Sequence, residues 1–189
     1  MIPGVFCDES IFDETISFLN QKISTSIYKI DSPRSIKEAA ISLDAKIDEP
    51  SFILGFSLGG WVAQEYAYRY PHKTKGIILI STTKDTVSLE TKKSMEVACK
   101  TLKTIPLSEV ISLLIESYFD PNIDNTVTEK YRNMAQSVGV SSAINQYQLI
   151  LKQNEPIGNP VCSNIPTLIL HGDCDKRNPP ETQERLKDQ

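Results

Sequence analysis

Apolar and polar positions change period several times along this chain, and each change marks an element. Met1 to Phe6 reads as a strand end running into a Pro3-Gly4 turn. From Ser10 to Lys22, Ile11, Phe12, Ile16 and Leu19 recur at helical spacing. Ser26 to Ile30 is a strand-like run, and Asp31-Ser32-Pro33 then opens a helix to about Ile47. That helix turns Ile36, Ala40, Leu43 and Ile47 inward. Ser51 to Leu54 is a short apolar strand. A helical pattern follows from Leu58 to about Tyr70, where Pro71 stops it. Gly76 to Ile80 is apolar throughout, the pattern of a strand covered on both faces. Strands alternating with helices predict a parallel sheet.

Residues 83–164 have a different texture. Helical patterns cover about 90–102, 107–118, 127–138 and 141–152, and no strand interrupts them. A breaker-rich connector, Glu155-Pro156-Ile157-Gly158-Asn159-Pro160, ends the stretch. The alternation then resumes with a strand over Pro166 to His171 and a helix from Pro179. The expected architecture is α/β, a mostly parallel doubly wound sheet of about five strands with an inserted helical cap. Residues 1–82 and 165–189 form its core, and 83–164 the cap.

The stretch with the most chemistry is Gly55-Phe56-Ser57-Leu58-Gly59, between a strand and a helix. A G-x-S-x-G at such a junction makes a turn so tight that the serine backbone is strained and its hydroxyl stands above the sheet. The flanking positions must be small, because side chains there meet the neighbouring strand and helix.

Three segments converge on one family. Met1-Ile2-Pro3-Gly4-Val5-Phe6-Cys7-Asp8 resembles the Pro-Gly or His-Gly loop after the third strand of α/β-hydrolases. Gly55 to Gly59 resembles their nucleophile elbow. Ile165 to Asp175, ending His171-Gly172-Asp173-Cys174-Asp175, resembles the penultimate strand, whose G-x-x-D carries the acid of the triad. The helical insertion falls where this family keeps its cap. The resemblance implies Ser57 as nucleophile and Asp175 as the acid that orients the catalytic histidine. It implies the backbone N–H groups of Val5 and Leu58 as the oxyanion hole. Phe6, beside that loop, is a candidate to touch the substrate, with plain core packing as the equal alternative. Asp173 and Asp85 are weaker rivals for the acid, and Trp61 is a core or pocket residue. The implied reaction is hydrolysis of a small ester, thioester or related carbonyl compound through an acyl-enzyme. A serine in the elbow argues against the related dehalogenase chemistry, which uses an aspartate there.

One departure stands out. The family's histidine lies beyond one more strand after the acid, and this chain has only His72 and His171, neither at that position. The chain therefore reads as a truncated or remodelled member. A non-catalytic relative that binds a ligand or partner is the alternative.

Composition narrows the partners. The 189 residues carry a net charge of -4, with no basic stripe for nucleic acid. No apolar run is long enough for a bilayer span, and no secretory signal opens the chain. Cys7, Cys99, Cys162 and Cys174 form no C-x-x-C pair, so neither a metal nor another cofactor is expected. The expected setting is cytoplasmic and the partner a small-molecule substrate. The strands Ser26–Ile30 and Pro166–Leu170, left as sheet edges, are expected to favour self-association.

Overall fold

The computed structural model describes residues 1–19, 22–30, 32–154, 157 and 164–187. Three strands form one parallel sheet in the order β1 (Ser51–Phe56), β2 (Thr74–Ile80), β3 (Thr167–Leu170). A 3-10 turn over Glu9–Phe12 leads into α1 (Asp13–Leu19). Helix α2 (Ile36–Asp44) precedes β1, and α3 (Leu58–Arg69) links β1 to β2. Between β2 and β3 lie α4 (Leu89–Thr101), α5 (Leu107–Tyr118) and α6 (Asn125–Lys152). Helix α7 (Pro180–Lys187) closes the described chain.

The fold is α/β with a parallel sheet, as the alternation predicts, but the sheet is narrower than expected. Residues 1–6 reach β1 through a single bridge, Ile2 to Gly55. The Ile2 N–H donates to Leu54 O at 2.8 Å, and the Phe56 N–H donates to Ile2 O at 3.0 Å. Ser26–Ile30 is no strand. Its Tyr28 N–H donates to Met1 O at 2.9 Å, and one residue of partner is too short to build a ladder. Both segments still supply the core, through Ile2, Tyr28 and Ile30.

The starts of α2, α4 and α6 have a visible cause. Ser35 caps α2 by accepting from the Glu38 N–H at 3.1 Å, while Glu38 accepts from the Arg34 N–H at 2.7 Å. Ser88 caps α4 through the Thr91 N–H, and Asp124 caps α6 through the Thr126 N–H. Helix α3 is buried from Leu58 to Ala67, around its whole circumference. Its buried Gln64 is satisfied by donating to Gly60 O and Thr83 O. Helix α6 breaks at Gly139, whose φ of 73° and ψ of 171° leave the helical region. The two helical patterns read over 127–138 and 141–152 are its two halves. The 155–160 connector lies outside the described residues except for Ile157, which is buried and donates its N–H to Lys84 O at 3.1 Å.

Candidate active site

Ser57 stands between β1 and α3 with φ 52° and ψ -117°, a region that side chains other than glycine rarely enter. The surroundings hold it there. Its N–H donates to Ile80 O at 2.9 Å, and its carbonyl accepts from the Thr82 hydroxyl at 2.7 Å and the Gly60 N–H at 2.9 Å. The flanking glycines are there for space. A Cβ on Gly55 would collide with the Gly59 carbonyl, and one on Gly59 with the carbonyl of Ile2. The elbow packs strand, helix and the 1–5 segment backbone to backbone. Ser57 occupies the N-cap position of α3, yet its hydroxyl makes no cap hydrogen bond. A serine there ordinarily spends its oxygen on the helix.

Two further non-glycine residues with positive φ flank the elbow, Phe6 at 59° and Ser81 at 46°. Strain of this kind gathers at functional sites. The Phe6 turn is fastened from α6: its N–H donates to the buried Gln146 Oε1 at 3.0 Å, and its ring meets Tyr147 edge-on at 5.8 Å. Asp8, one turn on, accepts from Ser10 and from Ser137, also on α6. Burial works to raise the Asp8 carboxyl. Those hydrogen bonds and nearby Lys29 outweigh burial and hold it below the usual range.

A cavity of about 730 Å³ lies between the ends of the strands and helices α4–α6. Val5, Ser57, Leu58, Trp61 and Asp175 line it together. Leu58 opens α3, where backbone N–H groups have no partner within the helix. Asp175 is held by its own loop: Oδ1 accepts from the Arg177 N–H at 2.8 Å and the Asn178 N–H at 2.9 Å. Asn178 in turn donates from Nδ2 to Ser81 O at 2.8 Å, tying this loop to the end of β2. The rival acids lie elsewhere. Asp173 is exposed and off the cavity wall, and Asp85 pairs with Arg185 at 2.9 Å. Phe6 is also off the wall; its left-handed backbone turns the ring into the core against Tyr147, leaving Val5 and Cys7 facing the cavity. Burial pushes the Cys7 thiol up to about 12, with Asp8 adding to the shift.

Neither histidine reaches this wall. His72 is exposed in the 3-10 turn Pro71–Lys73 after α3, and His171 is exposed, with Nδ1 3.4 Å from Gly172 O. Sequence reasoning missed Thr82, Gln146 and Asn178, whose bonds span 25, 140 and 97 positions. Only their burial or half-burial as polar residues signals them.

A serine in a strained strand–helix elbow, at the end of a parallel sheet and under a run of helices, defines an α/β-hydrolase. The chain belongs to the hydrolase family described as serine aminopeptidase, S33, which matches residues 36–189. No curated protein matches it in sequence. Solved structures share the fold at low identity. An esterase from Thermogutta terrifontis superposes with a TM-score of 0.82 at 18% identity, covering 98% of this chain and 74% of that one. An enol-lactonase from Burkholderia xenovorans LB400 has a TM-score of 0.79 at 14% identity, covering 98% and 76%. An esterase from Exiguobacterium antarcticum has a TM-score of 0.80 at 15% identity, covering 98% and 77%. Among the described residues no helix is long and apolar enough to cross a membrane.

Proposed function

We propose that Ser57 is the nucleophile of a serine hydrolase acting on a small ester, thioester or related carbonyl compound. The observation that carries this reading is an N-cap serine with φ 52° whose hydroxyl is withheld from the helix it caps. In the reaction, Ser57 Oγ attacks the carbonyl carbon and loses its proton to a base. The carbonyl oxygen takes the negative charge and accepts hydrogen bonds from the Val5 and Leu58 N–H groups. Each such donor is worth about 3–4 kcal/mol in the transition state. The positive end of α3 acts in the same direction. Collapse expels the alcohol or thiol, which takes a proton, and leaves an acyl group on Oγ. Water then releases the acid. Asp175 is the carboxylate that orients and stabilises the protonated base. Helices α4–α6 serve as the cap that encloses the acyl group. The esterases and the enol-lactonase among the structural neighbours agree with an ester carbonyl as electrophile.

The base is the part of this machinery that neither His72 nor His171 supplies. The alternative is a relative that binds carbonyl ligands without turning them over. Hydrolysis of an activated nitrophenyl ester by the 189-residue chain separates the two. The hydrolase reading predicts weak turnover, up to roughly 10³-fold over water, of the size left when a triad lacks one member. The readout specific to Ser57 is an acyl group trapped on its Oγ, found by intact mass and absent in Ser57→Ala. No acyl adduct on Ser57 and no turnover above buffer support the binding reading.

A further inference from the structure

We propose that the cavity takes esters bearing a carboxylate remote from the scissile bond, held by Arg177 and Lys130 with the Tyr131 hydroxyl. The assignment rests on the hydrolase reading for the place of the scissile bond, at Ser57. Its first support is a reversal of charge. The chain as a whole carries -4, yet among the described residues the cavity wall holds Lys130, Lys176 and Arg177 against Asp175 alone. A cleft of one sign in a low-dielectric wall concentrates ligands of the other sign. Asp175 is already engaged by the backbone N–H groups of residues 177 and 178. Among the described residues no ion pair involves any of the three cations. Arg177 is not a loose surface side chain: its guanidinium stacks 4.7 Å over the Tyr118 ring. A planar fork fixed in this way suits the two oxygens of a carboxylate.

The second support is independent of charge. Tyr131 lines the cavity at 7% exposure, and its hydroxyl is buried with no hydrogen-bond partner. Its neighbours do not satisfy it. Tyr118 and Tyr147 hydrogen-bond to each other, and Phe119 meets the Tyr131 ring edge-on at 5.4 Å. A buried donor left unpaired is costly, and an acceptor brought by a ligand removes that cost. Burial also keeps this phenol protonated, hence a donor, well above its ordinary range. The rest of the wall, through Trp61, Val87, Met95 and Met134, is apolar and suits an aliphatic chain between the two ends. The volume of about 730 Å³ falls within the range of small-molecule sites.

Trp61, the chain's sole tryptophan, lies in this wall and reports occupancy by its fluorescence. The test titrates the full chain carrying Ser57→Ala with monomethyl adipate and with dimethyl adipate at pH 7. The half-ester should bind at least about tenfold tighter, and the preference should shrink in high salt. Arg177→Gln or Lys130→Gln should cut half-ester affinity several-fold and leave the diester unchanged. Tyr131→Phe should weaken the half-ester roughly threefold and raise the melting temperature of the empty chain. Equal affinities, or no Trp61 response to either ester, overturn the proposal. The wild-type chain is treated in parallel with a fluorophosphonate: labelling of Ser57 together with equal ester affinities sinks the carboxylate subsite alone. Half-ester preference without any labelling of Ser57 keeps the subsite and sinks the acyl-enzyme.

Discussion

Replacing Gly59 by alanine tests the elbow where it is tightest. The added Cβ would press on the Ile2 carbonyl group and lie 2.8 Å from Pro3 O. All the nearest atoms are backbone, so no side chain can rotate away. Relief requires moving the 1–5 segment off α3. Overpacking of this kind costs about 1–3 kcal/mol, and a backbone obstacle belongs at the upper end. The same movement strains the hydrogen bond from the Phe56 N–H to Ile2 O, worth about 1 kcal/mol more. The expected loss is about 3–4 kcal/mol, a large share of the 5–15 kcal/mol typical of a domain. Urea unfolding followed by far-UV circular dichroism measures it. Gly172→Ala is the control, because nothing lies within 4 Å of its Cβ position, and it should stay within about 0.5 kcal/mol of wild type. A Gly59→Ala midpoint equal to that of Gly172→Ala would refute the close approach and with it the elbow.

Gln146→Leu removes the acceptor from the buried Phe6 N–H and should cost about 1–3 kcal/mol in stability. It should also slow acylation of Ser57 more than it weakens substrate binding, since it loosens the turn that carries Val5; equal effects on kcat and KM would count against a positioning role. The Cys7 thiol and the Tyr66 hydroxyl are both pushed up to about 12 by burial, from ordinary values of 9.0 and 10.0. Their folded values exceed their unfolded ones, so their contribution is complete below pH 9 and drains away as pH climbs toward 12. The urea midpoint should fall above pH 9, and iodoacetamide at pH 8 should modify exposed Cys174 but spare Cys7. β3 is the outer strand of the described sheet and exposes Leu168 and Leu170, so the 189-residue chain should self-associate in light scattering, and Leu168→Lys should reverse it.

The legible parts of this fold were those dictated locally. Gly55, Ser57 and Gly59 announce the elbow because only glycine permits the backbone contacts on either side of the serine. Gly76 to Ile80 announces β2 because its continuous apolar run suits the middle strand of the sheet, although Ile77 and Leu79 are buried while Ile78 and Ile80 are only half-buried. The break between the halves of α6 shows in sequence because Gly139 interrupts two good helical patterns. Ser26–Ile30 misled because strand character is completed by a partner, and the backbone bonds this segment makes run to Met1 rather than to a strand. The direction of the Phe6 ring follows from a left-handed φ that no local pattern reveals, so sequence left pocket and core open for it. Gln146, Thr82 and Asn178 escaped notice because each acts through one bond to a distant backbone group. The family's G-x-x-D pattern singles out Asp175 over Asp173, and the cavity wall holds Asp175 and not Asp173.

The central claim is that Ser57 is a nucleophile set in a strained turn over an oxyanion hole. A fluorophosphonate tests it most directly, because phosphorus accepts the attacking Oγ and expels fluoride, leaving a stable adduct. Intact-mass and peptide mapping of the 189-residue chain should find slow addition of one phosphonyl group on Ser57. The adduct should be absent in Ser57→Ala and retained in Ser81→Ala. Labelling at another residue, or none at Ser57 under conditions that label other exposed hydroxyls, would contradict the account.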